Sequence, residues 1–262
     1  MQLRHALALG LIHGPTELLP VSSTAHTTLI PLLARWSYSE LDPHARKTFE
    51  VALHAGAGAA LALEERRELL DAARRASPDD ALLIAASLAP PALAGLLFRS
   101  FIARRLSRPP TIAAGLCAGS LAMVLADRRP QTRARADARI ADGLALGLAQ
   151  AAALAPGISR SGATLAAARA RRFARADAQS LSRHAGLAVI LAACVRQAPA
   201  LLGRRRAPES LGAYTVGAAG ALLSTIASLR LQRRLLSSPP PLAPFAFYRV
   251  LLAALIMRRR AR

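Results

Sequence analysis

ELLPVSSTAHTTL at residues 17–29 and ALAPGISRSGATL at residues 153–165 interrupt two otherwise apolar parts of this chain in the same way. Each reaches a proline, Pro20 or Pro156, then a run of hydroxyl residues, then apolar residues again. Proline lacks a backbone N–H and disfavours helix in the residue before it, so each segment stops as a helix, turns and restarts. Residues 3–12 read as a short apolar helix that HGPTELLPVSSTAH interrupts, and residues 143–155 as the run before the Pro156-Gly157 break. Ser22 or Ser23 is the expected cap of the first restarted helix and Ser159 of the second, because a serine hydroxyl accepts from an orphan N–H of the first turn. Set 136 residues apart, the stretches share Leu18 with Leu154, Pro20 with Pro156, Ser23 with Ser159, Thr28 with Thr164 and Leu29 with Leu165, five identities in 13 positions. In membrane proteins, duplicated broken helices meet near the bilayer core and build a site from their helix N-termini.

Composition points the same way. The 262 residues are 53% hydrophobic and 19% charged. Apolar stretches at 51–63, 81–98, 109–126, 140–158, 185–195, 212–228 and 244–257 alternate with arginine-rich bursts. A spanning helix takes roughly 20 apolar residues, and several stretches are shorter. The alternation still places charge at segment ends, where a bilayer tolerates it. The expected fold is an all-α polytopic membrane helix bundle, one integral domain over 1–262 with approximate repeat halves 1–126 and 140–257. The exposed connectors are expected at 65–80, 127–139 and 203–211, with RRRAR as a solvated tail.

The net charge of +20 comes from 35 basic residues, of which only Lys47 is a lysine. The arginines read as anchors of helix ends at phospholipid headgroups. Nucleic acid is not an expected partner: the charge is scattered among apolar segments, and aromatic residues, at 4%, supply no stacking platform. Cys117 and Cys194 lie in apolar runs and read as buried thiols, with no spacing for a disulfide or a metal. Arg4 and the following apolar run lead into Glu17 without a cleavage-site pattern, so they read as the first element of the mature protein. Arginine follows most apolar stretches, so the charge pattern does not separate the two sides of the membrane.

Glu17, Ser22, Ser23, Thr24 and His26 come from the first break, and Ser159, Arg160, Ser161 and Thr164 from the second. A guanidinium forks onto phosphate oxygens, and hydroxyls and helix N-termini add donors, so this is a phosphate-binding inventory. Glu17 and His26 supply an acid or base, and Ser23 a candidate nucleophile. An ionisable group beside a helix break at bilayer depth is a functional candidate by default.

GPTELLPVSSTAH at 14–26 and PGISRSGAT at 156–164 resemble the two signature motifs of the bacterial undecaprenyl-pyrophosphate phosphatase family, the bacitracin-resistance type of membrane enzyme. KTFEVALHAG at 47–56, Gln150 and PFAFYR at 244–249 match in the same order. The resemblance implies two inverted repeats, each with a broken re-entrant helix pair. It also implies removal of the terminal phosphate of undecaprenyl pyrophosphate, which recycles the cell-wall lipid carrier in the bacterial inner membrane. By resemblance Glu17, Ser23, His26 and Arg160 are catalytic, while Ser159, Arg160, Ser161 and Thr164 bind the substrate phosphates, to which the hydroxyls of Ser22 and Thr24 are expected to add donors. Ser23 attacks in line with His26 or Glu17 taking its proton, or an activated water attacks instead. The implied cofactor is Mg²⁺ or Ca²⁺ at Glu17, but His13 stands where the family has its first glutamate, which leaves His13 as a second ligand or a proton carrier. The segment SLSRHAGLAVI at 180–190 also departs, with Arg183 and His184 where the family carries an aromatic and proline-bearing stretch. The implied partner is a polyprenyl pyrophosphate lipid, and a homodimer is admitted. The competing expectation is a polyprenyl-phosphate transporter on the same architecture.

Overall fold

The computed structural model describes residues 1–75, 77–202, 208–235 and 238–260. Most of the expected connector 203–211 and the last two residues of the expected tail lie outside the described residues. Among the described residues the regular structure is helical, apart from one isolated parallel bridge between Arg133 and Phe173. In chain order the helices are α1 (Leu3–Leu18), α2 (Ser23–Ala34), α3 (Pro43–Glu64), α4 (Arg66–Arg75), α5 (Pro78–Leu97), α6 (Arg99–Phe101), α7 (Pro109–Asp127), α8 (Ile140–Ala152), α9 (Arg160–Ala170), α10 (Arg175–Leu202), α11 (Pro208–Leu235) and α12 (Ala243–Arg260). Stretches of α5, α7, α10 and α11 are long and apolar enough to cross a membrane. The chain is an all-α polytopic membrane bundle.

The first break lies later than expected. α1 runs through Pro15 to Leu18. One proline removes only one hydrogen bond, and the Thr16 hydroxyl adds bonds of its own in the same turn, donating to the carbonyls of Ile12 (2.8 Å) and His13 (3.1 Å). The helix ends only at Leu19-Pro20, where the chain also turns.

The residues group into two compact units. The first comprises Met1–Leu18, His26–Ala73 and Val189–Leu235. In it α1 and α3 both pack on α11. The α1–α11 seam is made by small residues: a side chain at Gly10 would run into the Gly217 carbonyl, and one at Gly14 into Ser224. The Ser224 hydroxyl donates to the Gly10 carbonyl at 3.0 Å. With no hydrophobic drive between helices in lipid, such close backbone approach is what holds them. Leu9, Phe49, Leu53 and Tyr214 fill the core beside the seam.

The second unit comprises Leu19–Ala25, Arg74–Ala188 and Leu236–Arg262. Here α8 packs on α5, α12 on α7, and α9 touches both α7 and α8. The α8–α5 seam repeats the device, with Gly143 against the Leu83 carbonyl and Gly147 against the Ala86 carbonyl and Pro90.

Two expectations about single residues change. Cys117 is exposed on α7 and Cys194 only partly buried, so neither thiol is enclosed in a core. Several arginines are internal staples and not headgroup anchors. Arg169, 1% exposed, donates to Asp127 and to the carbonyls of Arg129 and Phe173. Arg175 holds the same Asp127, while Arg133 and Arg171 hold the buried Asp142. A buried carboxylate and a buried guanidinium each need such partners to be tolerated.

Candidate active site

The second unit contains both helix breaks. After the first, Ser22 takes φ 75° and its hydroxyl accepts from the Ala25 N–H at 3.4 Å. After the second, Ser159 takes φ 67° and its hydroxyl accepts from the Gly162 N–H at 3.2 Å. Ser22 is therefore the cap of α2, and Ser159, as expected, the cap of α9. A non-glycine residue in the left-handed region costs about 1–2 kcal/mol, so two serines so placed at equivalent turns mark a shared backbone design.

This geometry moves the internal alignment by one residue. Ser22 corresponds to Ser159, an offset of 137, which pairs Ser23 with Arg160, Thr24 with Ser161 and Thr27 with Thr164. The same offset superimposes LALGL at 7–11 on LALGL at 144–148, and with it Gly10 on Gly147. The expected pairing of Ser23 with Ser159 rested on five identities at an offset of 136, whereas the positive-φ caps coincide at 137. Ser23 and Arg160 each open their helix, where first-turn N–H groups lack intrahelical acceptors and favour an anion.

Arg249 of α12 ties the two breaks together. Its guanidinium is completely buried. It donates to the carbonyls of Pro20 (3.2 Å), Gly157 (2.9 Å), Ile158 (2.9 Å) and Leu116 (3.3 Å) and to the Ser120 hydroxyl (3.2 Å). A second tie is the Ser161 hydroxyl, which donates to the Leu19 carbonyl at 3.2 Å and lies 3.3 Å from the Ser159 hydroxyl. Residues 19–25 and the loop before α9 are thus one hydrogen-bonded structure. Sequence reasoning gave Arg249 no role, although PFAFYR was noted. An arginine inside an apolar helix was the available signal.

Thr164 is fully buried one turn into α9, its hydroxyl 2.5 Å from that of Ser182 on α10. The Arg160 guanidinium lies against Gly186, one turn further along α10, where a side chain would collide with it. The departing segment 180–190 therefore supplies both the hydroxyl that holds Thr164 and the space that receives Arg160. Neither Ser182 nor Gly186 was singled out from sequence, since only the packing of α10 brings them to the second motif.

The first unit holds a different group. His13 and Glu17 lie one turn apart on α1, and α3 brings His54 to them. His13 Nε2 is 3.8 Å and His54 Nε2 3.6 Å from the same Glu17 oxygen. The two imidazole rings meet edge to face at 4.6 Å. His54 Nδ1 is 2.7 Å from the Glu50 carbonyl. His13, Glu17 and His26 are all buried. His54 was missed because it sits in another helix and only α1–α3 packing joins it to the first motif. These three residues are suited to share a metal ion.

The comparisons with known proteins agree with this architecture. Residues 6–255 match the family model described as bacitracin resistance protein BacA. A protein of Thioalkalivibrio sulfidiphilus named undecaprenyl-diphosphatase is 34% identical, over 98% of this chain and 98% of that protein. One of Pelobacter propionicus with the same name is 33% identical over 96% of this chain and 94% of its own, and one of Burkholderia mallei 32% over 94% and 91%. With nearly the whole chain matched in order, this protein belongs to the bacitracin resistance protein BacA family.

Proposed function

We propose that this chain is an integral membrane phosphatase that hydrolyses undecaprenyl pyrophosphate to undecaprenyl phosphate and phosphate, recycling the lipid carrier of cell-wall synthesis. Its place is the bacterial inner membrane, which it crosses several times. The observation that carries the reading is the pair of helix starts, Ser22-Ser23-Thr24 and Ser159-Arg160-Ser161, tied together by Arg249. Two helix N-termini and a guanidinium form a cationic seat for a phosphate without any change in protonation.

In this reading Arg160 clamps the terminal phosphoryl group while the Ser22, Thr24 and Ser159 hydroxyls and the first-turn N–H of Ser161 donate to its oxygens, with Thr164 one turn deeper. Donors set in advance stabilise the charge that spreads over the phosphoryl oxygens in the transition state. The Ser23 hydroxyl attacks the terminal phosphorus and the bond to the bridging oxygen breaks. Undecaprenyl phosphate leaves, and water then cleaves the phosphoseryl ester. His26, one turn along α2, or Glu17 takes the Ser23 proton. Direct attack by an activated water uses the same groups, and trapping of phosphorylated Ser23 in a single turnover separates the two routes. The halves 1–126 and 140–257 are proposed as inverted repeats. The paired LALGL segments support this, as does the order of helices, a broken pair followed by further long helices in each half.

Mg²⁺ or Ca²⁺ does not suit the residues present. Both ions take oxygen ligands, whereas His13, Glu17 and His54 offer two imidazole nitrogens and one carboxylate. The test is release of phosphate from undecaprenyl pyrophosphate by the purified protein in detergent. Turnover that Arg160→Ala abolishes supports hydrolysis. Lipid binding without phosphate release would instead favour transport.

A further inference from the structure

We infer that His13, Glu17 and His54 form a binding site for a divalent transition ion of the Zn²⁺ or Co²⁺ kind, in place of the hard cation implied for the family. The tautomer of His54 carries the argument. A carbonyl oxygen only accepts, so the 2.7 Å contact with Glu50 places a proton on Nδ1 and leaves Nε2 as the nitrogen that can ligate. The lone pair of Nε2 then faces Glu17, whose oxygen is 3.6 Å away. The two atoms stand too far apart for a good hydrogen bond and at a separation suited to two ligands of one cation.

The remaining geometry agrees. His13 Nε2 approaches the same Glu17 oxygen at 3.8 Å. One ligand atom from each residue lies within 4.8 Å of the others. Ligands about 2.1 Å from a tetrahedral ion stand roughly 3.4 Å apart, so small side-chain rotations close the shell. The Nδ1–H to carbonyl bond of His54 is the outer contact that orients metal-bound imidazoles and fixes their tautomer. Two imidazoles and a carboxylate are borderline donors that favour Zn²⁺ and its neighbours over Mg²⁺ or Ca²⁺, and three protein ligands leave a position open.

The site deepens the phosphatase reading through Glu17, but its binding chemistry stands apart from turnover. The test takes the full chain in detergent, stripped with chelator and titrated with Co²⁺. The expected result is visible absorption of a low-symmetry Co²⁺ site saturating at a single ion per chain. Zn²⁺ should displace the Co²⁺, and a large excess of Mg²⁺ should not. His54→Gln and His13→Gln should each weaken Co²⁺ binding at least tenfold, with unchanged gel-filtration profile and helical circular dichroism. Absence of the absorption in the wild type, displacement by Mg²⁺ at comparable concentration, or full affinity in folded His54→Gln would each overturn the proposal. Co²⁺ retained by a protein that releases no phosphate would sink the phosphatase reading and leave the metal site standing.

Discussion

In the phosphatase reading Arg160 is the cation that clamps the terminal phosphoryl group, so its replacement separates charge from geometry. Arg160→Ala is expected to lower kcat/KM on the order of 10²–10³-fold, the usual cost of a transition-state donor. Arg160→Lys should recover little of that, because an ammonium lacks the planar fork. Phosphate release under steady-state conditions reads both. Gly186→Val should push the guanidinium aside and reproduce part of the Arg160→Ala loss, with little change in melting temperature, since only the end of a flexible side chain must move. Arg249 belongs to a different class. Arg249→Met leaves the carbonyls of Pro20, Gly157 and Ile158 without their shared donor. Thermal melting in detergent should show a loss on the order of 3 kcal/mol, in line with unsatisfied buried acceptors. Of these three residues, sequence gave only Arg160 a role. Its motif is contiguous, whereas Gly186 and Arg249 act through helices α10 and α12.

At the scale of the element, both breaks follow one design, a serine cap with positive φ. Ser22→Gly removes a weak cap and relieves about 1 kcal/mol of backbone strain, whereas Ser22→Ala loses the cap and keeps the strain. Stability measured by melting should therefore fall in the order glycine variant, then alanine variant. The twofold glycine seams make a second prediction. Gly14→Leu should destabilise α1 against α11 by about 1–3 kcal/mol through overpacking, seen as earlier aggregation on heating in detergent. The break motifs were legible in the sequence because prolines and serines act locally. Their register was not, because five identities between residues 18–29 and 154–165 suggested one offset and the backbone conformation of Ser22 and Ser159 set another.

Across the whole molecule, the outward faces carry residues such as Leu121, Leu125, Leu148 and Leu223, each more than half exposed. Surface of this kind is stable only in contact with lipid. Cys117 lies on such a face of α7. In native membranes it should react with a lipid-soluble maleimide and resist a membrane-impermeant charged one, with mass spectrometry as the readout. The sequence by itself determined the class of the molecule, its membrane habitat and its two broken helices, and it named the residues proposed to bind phosphate. Those follow from local rules: apolar length, proline, caps and the chemistry of side chains in a contiguous motif. Only the tertiary structure decided that Ser22 and not Ser23 matches Ser159, that Arg249 joins the two breaks, that Asp127 and Asp142 claim four arginines, and that His54 joins His13 and Glu17. Each of these depends on which helix faces reach van der Waals contact, and spacing along one chain does not encode that.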